Sequence, residues 1–226
     1  MAEVNSWEVA EAIVGANTGN LLLWGPPGTG KSYAAQKGHS NVRNVTITPE
    51  TPAAELRGHY VPRGGEFVWQ DGPAIRAMRD GGRLVLNEVD HAGGDVLSFL
   101  LAALDNRESC RICLPSGETV RPASGFHVVA TMNGEPSDLL PALRDRFSVS
   151  ILIDRPHPSA IEALPFDLRA AAQGTVMAER EEDRITLRSW LAFSEFRNSV
   201  GAKTAAQAVF GKNWESVLDS LAAAAV

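Results

Sequence analysis

The stretch Gly25-Pro26-Pro27-Gly28-Thr29-Gly30-Lys31-Ser32 decides the fold of this chain, because it has the full spacing G-x-x-x-x-G-K-[ST] of a phosphate-binding loop. The apolar run Leu21–Trp24 precedes it, and a segment that can form a helix begins at Lys31. The glycines let backbone N–H groups turn inward on a polyphosphate, and the lysine reaches its β and γ oxygens. The hydroxyl of Ser32 suits Mg²⁺, and the new helix directs its positive end at the anion. The sequence therefore predicts a site for a nucleoside triphosphate with magnesium.

Composition limits the class of protein. The 226 residues are 44% hydrophobic and 21% charged, enough for one large domain or for one domain with a small appendage. The net charge of -6 argues against a general nucleic-acid binder, which needs a basic surface. Apolar stretches stay short of membrane-spanning length, and the first residues lack the features of a signal peptide. We therefore expect a cytoplasmic protein.

Strand-like and helix-like segments alternate through the first two-thirds of the chain, as in a parallel sheet with crossover helices. The predicted strands are Asn20–Trp24, Asn44–Thr48, Arg83–Asn87, Phe126–Thr131 and Val149–Ile153. The predicted helices are Lys31–Lys37, Pro73–Asp80, Asp95–Leu104 and Leu139–Phe147. Two further segments, residues 60–70 and 109–121, have glycine-containing turns typical of hairpins.

The character of the sequence changes after Asp154. Arg155-Pro156-His157-Pro158 is typical of a stiff linker, and the following residues are alanine-rich and helical in pattern. Thr186 is predicted to cap one helix, and a final helix is predicted from about Trp214. The fold class predicted is α/β: a three-layer P-loop NTPase sandwich with a parallel central sheet over residues 1–155, followed by a small helical lid over residues 156–226.

Polar residues follow two of the predicted strands. Asn87 and Glu88 end the strand that begins at Arg83, and such a strand is expected beside the phosphate loop in a doubly wound sheet. A carboxylate there can hold Mg²⁺ or orient an attacking water, although acidic residues also simply end strands. Asn133 follows the next strand, where an amide can position that water, or can serve only as a turn residue.

Three arginines have alternative interpretations. Arg144 and Arg146 can complement the end of a helix, or can project into the active site of a neighbouring subunit. Arg188 lies at the start of a predicted helix, where the helix dipole disfavours a cation, so a bound nucleotide would explain it. A surface arginine is the alternative.

The two cysteines form a single C-x-x-C, Cys110 and Cys113, in a strand-like segment. Residues three apart on a strand face opposite sides, so they are poorly placed to share a metal. We interpret them as ordinary strand cysteines.

In this order the motifs resemble those of the AAA+ ATPases, and specifically the MoxR-like, dynein-related branch. Besides the phosphate loop, four further segments carry the resemblance. Residues 54–60 are similar to the pore-facing insertion of that branch, and residues 126–133 to its "sensor 1" strand. Leu143-Arg144-Asp145-Arg146-Phe147 is similar to its arginine-finger segment, and residues 67–73 also follow its pattern.

The resemblance implies a ring, usually of six subunits, that binds ATP and Mg²⁺ between neighbours and remodels a protein partner. Partners of this branch often contain a von Willebrand factor A domain. By resemblance, Glu88 activates the water, Asn133 places it, Arg146 or Arg144 acts in trans and Arg188 senses the γ-phosphate. The pore-side candidates are Arg57, His59 and Tyr60.

One position departs from the family pattern, because Asn87 stands where aspartate usually precedes the catalytic glutamate. An amide oxygen can accept a hydrogen bond from a water bound to Mg²⁺, but it adds no charge. Two alternatives to an active remodelling ATPase stay open, and only the first of them rests on Asn87. One is a nucleotide-dependent scaffold that hydrolyses little. The other is a nucleic-acid motor, for which Arg57 and Arg63 are the basic candidates.

Overall fold

The computed structural model describes residues 6–176, 178 and 184–224, and the chain forms two compact units. The first unit takes in the chain up to Gly25 together with Lys31–Ile153. The second takes in Pro26–Gly30 and the chain from Asp154. Most of the phosphate loop thus clusters with the C-terminal helices. The division into two domains, residues 1–155 and residues 156–226, stays a prediction.

In chain order, the helices and strands of the first unit are α1 Ser6–Gly15, β1 Asn20–Trp24, α2 Lys31–Gln36, β2 Val42–Thr46, α3 Ala53–Arg57, β3 Gly58–Arg63, β4 Glu66–Asp71, α4 Pro73–Asp80, β5 Arg83–Asn87, α5 Gly94–Ala103, β6 Ile112–Cys113, β7 Thr119–Val120, β8 His127–Thr131, α6 Pro141–Arg144 and β9 Val149–Leu152. The central sheet has the order β2-β5-β8-β1-β9, and each neighbouring pair is parallel. The predicted α/β fold with a parallel central sheet is confirmed.

Alternation along the strands gives the sheet two apolar faces. Leu22, Leu84 and Leu86 belong to the core cluster that includes residues of α3, α4 and α5. Leu21, Leu23, Val85 and Val129 belong to a second cluster with residues of α1 and α2. Because successive strand side chains point to opposite faces, both faces of a sheet of continuous apolar strands are covered by helices.

The strand order places β8 between β1 and β5. The strand that ends at Asn87 is therefore one strand removed from β1, the strand that precedes the phosphate loop. β1 has β8 on one side and β9 on the other, so the strand order reverses at β1. Ligands of open α/β sheets bind at such a reversal, beyond the carboxyl ends of the strands.

Two predicted elements were wrong by two or more residues at their boundaries, and four others differ by one residue. The strand predicted at Asn44–Thr48 begins earlier, at Val42, and the helix predicted at Leu139–Phe147 is reduced to α6. The chain leaves the helix early because Ser148 donates its backbone N–H to the carbonyl of Asn20 at 2.8 Å, which commits the following residues to the sheet. Both predicted hairpins are confirmed as the antiparallel pairs β3–β4 and β6–β7.

The two cysteines lie in different environments, and only Cys113 lies on a strand. Cys110 is buried and its thiol contacts the carbonyl oxygen of Ala103 at 3.4 Å, whereas Cys113 is exposed. Burial raises the pKa of the Cys110 thiol to about 11. The two residues do not form a shared site.

The second unit consists of α7 Pro158–Glu162, α8 Phe166–Val176, α9 Leu187–Val200, α10 Ala202–Phe210 and α11 Trp214–Ala224. Its core contains the aromatic side chains of Trp190, Phe193 and Phe210, whose ring centroids lie 5.0 to 6.1 Å apart. Thr186 caps α9, since its hydroxyl accepts a hydrogen bond from the backbone of Ser189, as predicted. Within the described part of the chain, no helix is both long and apolar enough to cross a membrane.

A buried arginine ties the amino-terminal edge of the sheet together. Arg83 is fully buried at the start of β5 and donates from Nε to Nε2 of His127 at 2.9 Å. Its remaining donors reach oxygens at the ends of α1 and α2, namely those of Val14, Asn17, Ala35 and Lys37. All five N–H groups of the guanidinium are thereby satisfied, and helix carboxyl ends favour a cation.

This network is expected to make stability depend on pH. His127 must remain neutral to accept from Arg83, and burial, together with the charges of Arg83 and His39, lowers its pKa below 6.5. Nδ1 of His127 contacts the carbonyl of Gly125, which opposes this effect less strongly. Below pH 6.5 the unfolded chain therefore binds a proton that the folded chain does not. The free energy of unfolding should fall on acidification by up to about 1.4 kcal/mol per pH unit.

Urea unfolding of the natural chain and of His127→Gln, measured between pH 5 and 8, checks this expectation. Glutamine keeps an acceptor for Arg83 but does not titrate, so the variant should lose less stability on acidification. Parallel pH profiles for the two proteins would contradict the assignment.

Candidate functional site

The candidate site lies at the carboxyl edge of the sheet in the first unit. Because β1, β5 and β8 are parallel, the residues that follow them meet at one edge. Lys31 begins the helix after β1, Asn87 ends β5, Glu88 follows β5 and Asn133 lies beyond β8. The structure thus brings four of the predicted site residues to one place.

Lys31 joins the end of the phosphate loop to the strand β8. Its ammonium is buried and donates to the carbonyl of Gly25 at 2.8 Å and to Oδ1 of Asn133 at 3.2 Å. Burial lowers the pKa of Lys31 to about 8, and the negative charge of Asp90 opposes this shift. A polyphosphate would offset the burial of this cation, because an anionic partner stabilises a charge removed from water.

The loop itself has the backbone that a phosphate cradle requires. Gly25, Gly28 and Gly30 have φ angles of 128°, 79° and 101°, which residues with a Cβ rarely adopt. Thr29 is buried and its hydroxyl donates to the carbonyl of Pro26 at 3.3 Å, whereas Pro27 is exposed. Local sequence therefore fixes the loop shape, as the spacing predicted.

Asn87 and Ser32 are the residues predicted to hold magnesium. Ser32 is exposed in the first turn of α2, and Asn87 is buried at the end of β5. The Asn87 amide donates from Nδ2 to Oδ1 of Asn44 at 2.6 Å, and its Oδ1 accepts from the hydroxyl of Thr131 at 3.2 Å. An amide oxygen has two lone pairs, of which Thr131 uses one.

The oxygen atoms of these residues suit a magnesium ion that has few protein ligands. A hydroxyl, an amide oxygen and the neighbouring carboxylate of Glu88 are oxygen ligands, which Mg²⁺ prefers together with water and phosphate oxygens. Over the described ranges, no cluster of three or more His, Cys, Asp or Glu residues could hold a metal by itself. The residues therefore suit a metal that arrives with a nucleotide.

Glu88 has a strained backbone. Its φ and ψ are 57° and 47°, in the left-handed region, where a residue with a long side chain is disfavoured by about 1–2 kcal/mol. Its half-exposed carboxylate lies 3.6 Å from Nδ1 of His91. Strain of this kind persists where the surroundings enforce it, and it is concentrated at functional sites.

The arginines near α6 differ in their surroundings. Arg146 lies 3.8 Å from a carboxylate oxygen of Asp105 and contacts the carbonyl of Leu101 at 3.4 Å. Arg144 is exposed, and its side chain makes no hydrogen bond or ion pair with the described residues. With Phe147 and Ser150 it lines an open depression of about 650 Å³.

Arg188 belongs to the second unit and is exposed in the first turn of α9. The same helix begins at Thr186, which lies against the phosphate loop: a Cβ placed on Gly28 would come within 3.1 Å of the Cβ of Thr186. Within the second unit, the start of the helix that carries Arg188 therefore packs on the loop segment 26–30.

Sequence reasoning missed Asn44 and Thr131. Both contact Asn87 from neighbouring strands, although they are 43 and 44 residues away in the chain. Their one signal in the sequence is a polar residue near the end of an otherwise apolar strand. Such residues are also common on exposed strand ends, so the pattern alone does not select them.

Comparison with known proteins identifies the family. The family described as AAA domain, dynein-related subfamily, matches residues 20–147, more than half of the chain. The chain belongs to the dynein-related AAA subfamily. The matched range includes the phosphate loop, Glu88, Asn133 and both arginines of α6 and its C-terminal flank.

Two curated relatives of this AAA protein come from bacteria. It is 37% identical over 153 residues to Protein NorQ of Paracoccus denitrificans, covering 64% of this chain and 56% of NorQ. It is 32% identical over 144 residues to the Denitrification regulatory protein NirQ of Pseudomonas aeruginosa, covering 60% and 55%. The chain thus spans little more than half the length of these relatives.

A solved structure supports the fold. A candidate ATPase from Cytophaga hutchinsonii superposes with a TM-score of 0.53 at 19% identity, covering 89% of this chain and 67% of the other. At this level of identity the likeness concerns the fold alone.

The strain at Glu88 leads to a prediction. Glu88→Gly should raise the free energy of unfolding by about 1 kcal/mol, because glycine adopts the left-handed region without the Cβ penalty. Glu88→Ala removes the same carboxylate but keeps the penalty, so it should leave stability close to that of the natural chain. Urea unfolding measures both. Equal stability of the glycine and alanine variants would show that the backbone at residue 88 is not strained.

Proposed function

We propose that this AAA protein is a Mg²⁺-dependent ATPase, and that it works as a subunit of a ring that remodels a protein partner. The observation that carries the proposal is the buried ammonium of Lys31, bonded to Gly25 and Asn133 at the edge where Glu88 follows β5. Family membership and the intact loop support the same activity.

The residues divide the chemistry among them. Backbone N–H groups of residues 28–32, which follow the two prolines of the loop, and the ammonium of Lys31 bind the β- and γ-phosphates of ATP. Ser32 and Asn87 would hold magnesium, which would neutralise negative charge on the phosphate oxygens. Glu88 accepts the proton of the attacking water, and the amide of Asn133 positions that water.

An arginine from a neighbouring subunit completes the site in this proposal. Arg144 is better suited than Arg146, because Arg146 is engaged by Asp105 and Leu101 of its own subunit. An arginine side chain that acts on a neighbouring subunit must give up its contacts within its own subunit. The side chain of Arg144 has no ion pair with the described residues to give up. In the lid, Arg188 is the residue that senses the γ-phosphate.

Assembly and partner are extensions of the same proposal. We infer a homo-oligomeric ring, because an arginine that acts in trans needs a neighbouring subunit. The family resemblance gives a hexamer as the candidate ring size. The partner is a protein, for which a von Willebrand factor A-domain protein is the candidate. The hairpin β3–β4 is the surface we assign to it: His59 and Tyr60 are exposed there, whereas Arg57 is half-buried.

A nucleotide-dependent scaffold is the second candidate function, and one observation favours it. Both polar ends of the Asn87 amide are already engaged by Asn44 and Thr131, and the amide adds no charge to the metal site. Such a protein would bind ATP and assemble, but would turn over slowly.

Phosphate release from Mg²⁺-ATP, measured across protein concentrations, tests the proposal. Specific activity should rise with concentration, since each site needs a neighbour. Glu88→Gln should lower it by about 100-fold or more, the effect of losing a general base. Glu50→Gln, which removes an exposed carboxylate after β2, is the matched control and should keep its activity. Tight ATP binding without release at any concentration would favour the scaffold.

Mixing two inactive variants tests the role of Arg144. Arg144→Ala should abolish hydrolysis without changing the melting temperature. Mixed in equal amounts with Glu88→Gln, it should recover activity, because about a quarter of random interfaces then contain both intact groups. Arg146→Ala, the matched control, should lower stability slightly through the loss of its contacts with Asp105 and Leu101. Recovery with Arg146→Ala instead of Arg144→Ala would reverse the assignment.

A further inference from the structure

Three polar side chains form a row across the candidate magnesium edge of the sheet. Asn44 on β2, Asn87 on β5 and Thr131 on β8 are joined by hydrogen bonds of 2.6 and 3.2 Å. The strands are neighbours in the order β2-β5-β8-β1, so the row leads from the edge strand toward the phosphate-loop strand.

The row lies on the face covered by the helix that follows the phosphate loop. Asn44 is in register with Val85, and Asn87 and Thr131 each follow, by two residues, a valine of the same core cluster. That cluster contains Ala34 and Ala35 of α2. Because side chains two residues apart on a strand share a face, Asn87 is on the α2 side.

The hydrogen bonds give the Asn87 amide a direction. Its nitrogen can only donate, and it donates to Oδ1 of Asn44, on the side away from β1. Its oxygen accepts from Thr131, on the side of β8 and β1. An aspartate would present two equivalent oxygens and would not need this orientation.

We propose that Asn44 is a positioning residue that holds the Asn87 amide with its oxygen toward the phosphate-loop strand, where it can serve magnesium. This inference rests on the proposed function, since it concerns the metal of that site. Either oxygen of a carboxylate can face the metal, whereas an amide has only one oxygen and must be oriented. Asn44, on the neighbouring strand, supplies that orientation for Asn87.

Affinity for a metal ion, measured without turnover, tests the inference. The probe is Mn²⁺ added to the protein–ADP complex, with free Mn²⁺ followed by electron paramagnetic resonance. Asn44→Ala should weaken Mn²⁺ binding by about fivefold, the effect of losing one neutral hydrogen bond that fixes the amide. Asn44 is exposed, so this variant should fold normally. Thr46→Ala, an exposed position on the same strand, is the matched control and should change little.

The decisive comparison is Asn44→Ala in two backgrounds. With Asn87 present, the alanine should weaken Mn²⁺ binding. With Asn87→Asp, it should have an effect of less than about twofold, because either oxygen of a carboxylate can face the metal. An equal loss in both backgrounds would mean that Asn44 only supports the strand edge, and no loss in either would mean that it has no role. Both results would overturn the inference.

ADP binding in EDTA separates this inference from the proposed function. We expect the natural chain and Asn44→Ala to bind ADP equally without metal. If neither binds the nucleotide under any condition, the proposed function fails. If both bind ADP and Mn²⁺ with equal affinity, the proposed function stands and the role of Asn44 is wrong.

Discussion

Parallel pairing of β5, β8 and β1 is the constraint on which the rest of the site depends. It brings the carboxyl ends of three strands to one edge, where Asn87 ends β5 and where Lys31, Glu88 and Asn133 lie beyond the strand ends. Lys31 and Asn133, which are 102 positions apart in the chain, are joined at this edge by a hydrogen bond of 3.2 Å. Continuous apolar strands make the arrangement stable, because helices bury the side chains on both of their faces.

The two ends of the sheet each bury a cation, in different ways. At the amino-terminal edge, every donor of Arg83 has a partner, and the guanidinium locks the ends of α1 and α2 to the sheet. At the carboxyl edge, burial lowers the pKa of Lys31 to about 8. The first arrangement suits a fixed structural role. The second leaves a cation whose charge a bound anion would stabilise.

The polar row Asn44–Asn87–Thr131 shows how a substitution at one motif position is supported from outside the motif. A buried amide needs partners for both of its polar ends, and the adjacent strands provide them. The neighbouring Glu88 has a left-handed backbone conformation, and its half-exposed carboxylate lies 3.6 Å from Nδ1 of His91. In this respect the departure from aspartate is accommodated by the local structure.

The sequence by itself determined the features that depend on neighbouring residues. The phosphate loop, the strands at β1 and β5, the helix at α4, the cap at Thr186 and the family all follow from short patterns. These patterns have local physical causes that act over a few residues. The causes are the backbone freedom of glycine, short runs of apolar residues and capping hydrogen bonds.

Only the tertiary structure decided the features that depend on distant pairing. It placed β8 between β1 and β5, ended α6 early, joined Asn44 and Thr131 to Asn87, and distinguished Arg144 from Arg146. Strand order and side-chain partners come from segments that are far apart in the chain. A local pattern cannot specify such partners, because the same polar residue at the end of a strand is equally compatible with solvent and with a buried hydrogen bond.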